Sequence, residues 1–177
     1  TISGNHKNSK TDENVKFIEV SYSNVFYFPS FENFFPNLEG IIIHYSKLKE
    51  IRKEDLKPFP KLRVLSLPEN DFEIIEENLF QFNPKLEEIY LHINKISHID
   101  AHVFDNFVDK LSFLWLRRNN CEFEDARNDK QKANEIISKV QSGYCKNEEK
   151  LREFQAQAQV LTTTTEATTS TTTTSIP

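Results

Sequence analysis

The sequence predicts an α/β-type repeat solenoid. It would be an arc with a parallel sheet on its concave side, an irregular or helical convex side and a helix closing its carboxy-terminal end. Three observations predict it. An apolar pattern returns five times with a period near 24 residues. An Asn holds the same place in the last three copies, and a lone Cys pair brackets a segment of helical periodicity.

The repeat comes first, because a period of this length sets the architecture. Val15-x-x-Ile18-x-Val20-x-x-Ser23-x-Val25 opens the series. It is followed by Leu38-x-x-Ile41-x-Ile43-x-x-Ser46-x-Leu48 and by Leu62-x-x-Leu65-x-Leu67-x-x-Asn70-x-Phe72. Leu86-x-x-Ile89-x-Leu91-x-x-Asn94-x-Ile96 and Leu111-x-x-Leu114-x-Leu116-x-x-Asn119-x-Cys121 complete it, so successive units start 23, 24, 24 and 25 residues apart. Three residues further on, Phe28, Ile51, Ile75 and Ile99 recur. A late aromatic and aliphatic set follows: Phe34 and Phe35, Leu56 and Phe59, Phe80 and Phe82, Phe104 and Phe107. Positions four and six of each unit lie two apart, as on one face of a short strand, so residues three, five and seven take the other face. One unit cannot bury its own apolar face, and stacking of neighbours is obligatory.

This pattern resembles the leucine-rich repeat family over about residues 15–124. The resemblance implies parallel strands on the concave side and a ladder of inward Asn side chains at position nine, here Asn70, Asn94 and Asn119. Such side chains satisfy turn backbone groups that would otherwise be buried unpaired. Ser23 and Ser46 hold that place in the first two units. A hydroxyl makes fewer bonds, so these two turns are expected to be looser. The late Phe set is expected to form an aromatic spine on the convex side.

Residues 125–146 read as the carboxy-terminal cap. Asp125 to Gln141 is expected to be a helix whose apolar stripe is Ala133, Ile136, Ile137, Val140 and Tyr144, with Gly143 as its stop. A helix over the last repeat covers an open solenoid end. Cys121 and Cys145 flank it, 24 residues apart. They are either a disulfide pinning the helix or two reduced thiols, one of them a buried hydrophobe; a lone pair around a capping helix favours the disulfide and an oxidising compartment. Here the sequence resembles the end of small secreted insect leucine-rich repeat proteins. That narrower resemblance implies an extracellular binding module, in some members one of immune recognition. A cysteine-bearing amino-terminal cap is not seen; it either lay upstream or is replaced by the degenerate unit Val15–Val25.

The ends differ in composition. Residues 1–14 are polar and read as a mobile lead-in. Residues 147–161 favour helix by propensity but have few apolar positions, and read as a connecting helix rather than part of the core. Residues 162–177 contain ten Thr and two Ser. This Thr-rich tail is expected to be disordered, extended and solvated, and in a secreted chain suited to O-glycosylation. With no Met present, Thr1 reads as the start of a processed chain or a fragment, from which any signal peptide has been removed.

Composition narrows the function. Twenty-two basic and 27 acidic residues leave a charge of −5, which disfavours nucleic acid as a partner. Three Gly are too few for a phosphate-binding or dinucleotide loop. No apolar run approaches the ~18 residues of a membrane span. The histidines lack the set of about four ligands that a metal needs, and no nucleophile-elbow motif occurs. The chain is therefore expected not to be an enzyme and to need neither metal nor cofactor.

What remains is recognition of a protein partner. The outward positions carry Tyr22, Tyr45, Tyr90, His92, Phe113, Trp115, Arg117 and Arg118, rich in the residue types that dominate binding energy. These are the expected partner-binding residues; their alternative use is packing among themselves or under the cap. Five strands at ~4.8 Å spacing and ~17 Å length give a face of roughly 300–350 Å², below the ~800 Å² per partner of a standard interface. That area implies weak binding, a small partner, a dimer, or use of flanking surface. The competing functional readings are a structural spacer bearing an O-glycosylated tail, and the ectodomain of a membrane receptor.

Overall fold

A computed structural model describes the backbone of residues 10–170 and the side chains of residues 10–160. The concave sheet has five parallel strands: β1 (Phe17–Ser21), β2 (Gly40–His44), β3 (Val64–Ser66), β5 (Glu88–Tyr90) and β7 (Phe113–Trp115). Pairing stacks the position-four residues in line, Ile18 on Ile41, Leu65, Ile89 and Leu114. That register follows from the repeat, since a slip of one residue would turn every inward side chain to solvent. In units two to five the residues at positions one, four and six are at most 1% exposed. In unit one Val15, Ile18 and Val20 are only partly buried against the core.

A second, two-stranded parallel sheet, β4 (Ile74–Ile75) with β6 (His98–Ile99), lies where the chain leaves the concave side. The convex side holds one short helix, α1 (Lys53–Leu56), and otherwise turns. An aromatic spine forms there from Phe59, Phe80, Phe104 and Phe107, with Phe80 5.6 Å edge-on from Phe107. Its membership differs from expectation. Phe34, Phe35 and Phe82 are half-exposed, and unit one contributes Phe31 instead, 1% exposed. The first unit is the shortest, which moves its late aromatic out of register. At Asn83 the spine is interrupted; its Nδ2 donates to Leu56 O at 3.0 Å and Phe59 O at 2.9 Å.

Position eight of each unit has a left-handed backbone: Tyr22, Tyr45, Glu69, Ile93 and Arg118 have φ between 48° and 58°. Position eight is thus a turn residue rather than a strand residue, which corrects its assignment to the strand face. The turn lets the next side chain reach back into the core. Asn94 Nδ2 donates to Leu67 O (2.9 Å) and Leu91 O (3.1 Å), while its Oδ1 accepts from Phe72 N (3.3 Å). Asn70 and Asn119 repeat the arrangement one unit before and after. Ser23 Oγ meets Ser46 Oγ at 3.3 Å, and Ser46 Oγ lies 3.2 Å from His44 O as a donor.

The carboxy-terminal closure has an element the periodicity did not suggest. Residues 125–127, expected to start the cap helix, form β8 (Asp125–Arg127), antiparallel to β7 with Ala126 buried against Leu114. Helix α2 (Lys130–Gln141) starts only after Asp129, whose carboxylate caps Lys132 N at 3.0 Å. Ala133, Ile136, Ile137 and Val140 are buried as a stripe, but Tyr144 is 53% exposed and meets Phe123 edge-on. The helix ends before Gly143, where φ is +81°, so Tyr144 leaves the helical register. Cys121 and Cys145 form a disulfide with Cα atoms 5.6 Å apart.

Helix α3 (Glu148–Ser170) is longer than the 147–161 expected and packs back on the solenoid. Phe154 is 8% exposed, with the Arg52 guanidinium 4.0 Å from its ring centre, and Lys150 pairs with Glu73 at 3.1 Å. The helix runs into the Thr-rich stretch expected to be extended, because adding residues to a formed helix is far easier than nucleating one. Residues 171–177 of that tail, and 1–9 of the lead-in, lie outside the described residues. The rest of the lead-in is held in place: Asp12–Asn14 make a 3₁₀ turn, and Asn37 Nδ2 donates to Glu13 O at 3.1 Å.

Candidate concave binding face

The concave face divides into two parts. In units four and five the outward side chains pack on one another. The His92 and Trp115 rings stack with centres 3.9 Å apart, and the Arg127 guanidinium lies 4.1 Å from the Trp115 ring. Trp115 thus sits between an imidazole and a cation, where each contact contributes by stacking or cation–π attraction. Tyr90 stacks on Phe113 at 5.8 Å and donates its hydroxyl to Glu88 Oε2 at 2.7 Å. Burial, with that bond to Glu88, holds the Tyr90 hydroxyl well above its usual pKa. Burial also pushes the His92 imidazole down, so at neutral pH the ring on Trp115 is uncharged. Asp125 Oδ2 accepts from both Arg117 (3.4 Å) and Arg127 (3.2 Å), tying the end of β7 to β8.

In units one and two Phe17, Glu19, Tyr22 and Tyr45 are exposed. Tyr22 and Tyr45 stack face to face, centres 4.6 Å apart and planes 4° off parallel, and are 77% and 44% exposed. His44 flanks them and meets Glu19 Oε1 at 2.8 Å. Glu69, beside the Tyr45 hydroxyl, raises its pKa. The Phe17 ring lies over Gly40: a Cβ there would come within 2.2 Å of Phe17 Cδ1. The glycine is what lets this aromatic lie flat on the sheet. Unit three carries the smaller Val64, Ser66 and Pro68 between the two aromatic groups.

The eight expected partner-binding residues therefore fall in three places. Tyr90, His92, Phe113 and Trp115 form one half-buried cluster. Tyr22 and Tyr45 form an exposed stack about three strand spacings away, and Arg117 and Arg118 are exposed at the far end. Three further contributors were missed. Arg127 and Asp125 come from β8, a segment expected to be helical, and Phe17 stands at an outward position of unit one. The exposed-aromatic signal at Phe17 was legible in the sequence; the β8 contribution depends on a pairing that no local pattern marks.

The histidines serve separate ends. His44 meets Glu19, His102 meets Asp105 at 2.9 Å, and His98 is buried, accepting a hydrogen bond at Nδ1 from Asn147 N at 3.1 Å. Among the described residues no group of three or more His, Cys, Asp or Glu is placed to hold a metal ion.

Residues 60–121 match the family described as leucine rich repeat. A mouse protein, leucine-rich repeats and immunoglobulin-like domains protein 2, is 26% identical over 117 residues, covering 65% of this chain and 11% of that protein. The crystal structure of the leucine-rich repeat domain of APL1B aligns with a TM-score of 0.49 and 20% identity, covering 58% of this chain and 28% of the other.

Proposed function

We propose that this chain, a leucine-rich repeat protein, is an extracellular recognition module that binds a protein partner across its concave face. The observation that carries the reading is the Tyr22–Tyr45 stack, with Tyr22 77% exposed on a face the core does not use. Exposed aromatics held rigid against one another lose little conformational entropy on binding, which is why Tyr and Trp recur as binding anchors. The self-packed cluster around Trp115 gives the other end of the face a firm floor. The disulfide supports an oxidising, extracellular setting. Among the described residues no helix is long and apolar enough to cross a membrane. Innate-immune recognition is the role that the likeness to small secreted insect members suggests. The reading assigns no catalytic step and no cofactor.

The test is capture from extracellular fluid of the source organism by three baits: the chain, Tyr22→Ala/Tyr45→Ala and Tyr90→Ala/Phe113→Ala, each checked for folding by circular dichroism. A protein retained by the first and reduced at least tenfold on either variant is the expected result. Equal retention by all three baits contradicts the reading. A parallel bait lacking residues 162–177 separates recognition from the spacer role, because capture unchanged without the tail removes that role.

A further inference from the structure

The side chains leaving the concave strand ends change character along the arc. At position eight the units present Tyr22, Tyr45, Glu69, Ile93 and Arg118 in turn, and at position seven Ser21, His44, Pro68, His92 and Arg117. Four strand spacings separate the ends, about 19 Å, the length of roughly six residues of extended chain. The row is thus aromatic at one end and cationic at the other, in a protein whose formal charge is −5.

The cationic end has a built shape. His92, Ile93, Trp115, Arg117 and Arg118 line a cavity of about 220 Å³. Ile93 has φ +55°, the left-handed turn that position eight takes in every unit. Among the described residues, one carboxylate, Asp125, is shared by Arg117 and Arg127 through a single oxygen, and Arg118 has no hydrogen bond or ion pair. Glu69 also faces His92, from the unit before, but stands beside the Tyr45 hydroxyl. The Arg117 and Arg127 side chains remain 48% and 54% exposed, so their forks have donors to spare. Guanidinium groups take carboxylates in paired hydrogen bonds that a point charge cannot match.

We propose that the cavity between units four and five binds carboxylate groups of an extended acidic segment of the partner, with Arg117 and Arg118 as the recognising cations and the Tyr22–Tyr45 stack taking an apolar residue at the segment's other end. The proposal rests on the concave-face reading and names the partner chemistry that it leaves open.

The probe is a pair of random heptapeptide libraries panned on the full chain, one with a free carboxyl terminus and one with it blocked. The expected result is enrichment of Asp and Glu toward one end, or of the free-terminus library alone, which tells side-chain from terminal carboxylates. Enriched peptides are expected to bind Arg117→Gln/Arg118→Gln at least tenfold more weakly, and to weaken on the unaltered chain as salt rises from about 50 to 500 mM. No enrichment, or carboxylate peptides that bind the double variant equally, overturns the proposal. Uncharged peptides lost on Tyr90→Ala/Phe113→Ala but kept on the arginine variant overturn it while leaving the concave-face reading intact.

Discussion

The two ends of the arc are built from the same repeat and finished differently. At the carboxy-terminal end Asn70, Asn94 and Asn119 satisfy the turns, β8 closes the sheet, and α2 is held over the core by the Cys121–Cys145 disulfide. Outward aromatics there turn on one another beneath Arg127. At the amino-terminal end Val15, Ile18 and Val20 are only partly buried, the turns rest on a Ser–Ser contact, and the outward aromatics face solvent. Among the described residues, five of the seven large apolar side chains that are exposed, Phe17, Tyr22, Phe26, Tyr27 and Tyr45, belong to the first two units. The difference teaches that rigidity and stickiness are segregated along one sheet: the closed end fixes the frame and the open end offers surface.

The largest effect that would break this contrast comes from the ladder. Asn94→Ala strands the Phe72 N–H in the core and removes one of two donors from each of the Leu67 and Leu91 carbonyls, which keep Asn70 and Asn119. One stranded group at about 1–3 kcal/mol, with two lost bonds at about 1 kcal/mol each, gives an expected loss of about 3 kcal/mol or more in denaturant unfolding. Ser46→Ala, at the matching place in unit two, is expected to cost under about 1 kcal/mol. Equal losses would mean the two turns are equally tied.

Next is the disulfide. Cys121→Ser/Cys145→Ser is expected to lower stability by about 2–4 kcal/mol. The loss should appear as faster hydrogen exchange in α2 and β8, with β1 and β2 unchanged.

A smaller effect is expected with pH. His98 is 2% exposed and accepts from the backbone N–H of Asn147, the residue whose side chain caps α3. Burial lowers its pKa against the attraction of Glu148 and Asp100. A histidine whose folded pKa is depressed is protonated first in the unfolded chain. Its stabilising contribution is therefore present above the ordinary value near 6.5 and lost as pH falls below it. His92, lowered by burial too, acts in the same sense. Denaturant midpoints measured at pH 7.5 and 5 should fall for the native chain and fall less for His98→Asn, which keeps an acceptor but cannot titrate. An identical fall in both would place the effect elsewhere.

The smallest change in stability is expected where binding should suffer most. Tyr22→Ala removes a stacked but 77%-exposed ring, so its cost is expected to stay below about 1 kcal/mol. A larger loss would make Tyr22 part of the frame and blur the contrast between the ends.

What could be read from sequence follows the same division. Inward positions such as Leu65, Ile89 and Leu114 were legible because stacking repeats one environment five times, and the Asn rungs because a turn imposes the same need in each unit. Less was legible where a residue answers to a distant partner. Asp125–Arg127 has no alternation of its own and becomes a strand only by lying against β7. Phe154 is buried by Arg52, 102 residues earlier in the chain. Phe31 replaces an aromatic three or four residues later because the first unit is short. For the binding face, residue types were readable but their division into a clamped cluster and a free stack was not, since Arg127 and Gly40 decide which rings are covered and which lie flat.

Hydroxyl-radical footprinting of the chain with its captured partner bound would test the concave-face assignment most directly. Protection is expected at Tyr22, Tyr45 and Tyr90, with Tyr27 and Tyr144, exposed away from the concave strands, oxidised as in the free chain. Protection confined to Tyr27, Tyr144 or α3, with Tyr22 and Tyr45 unchanged, would contradict it.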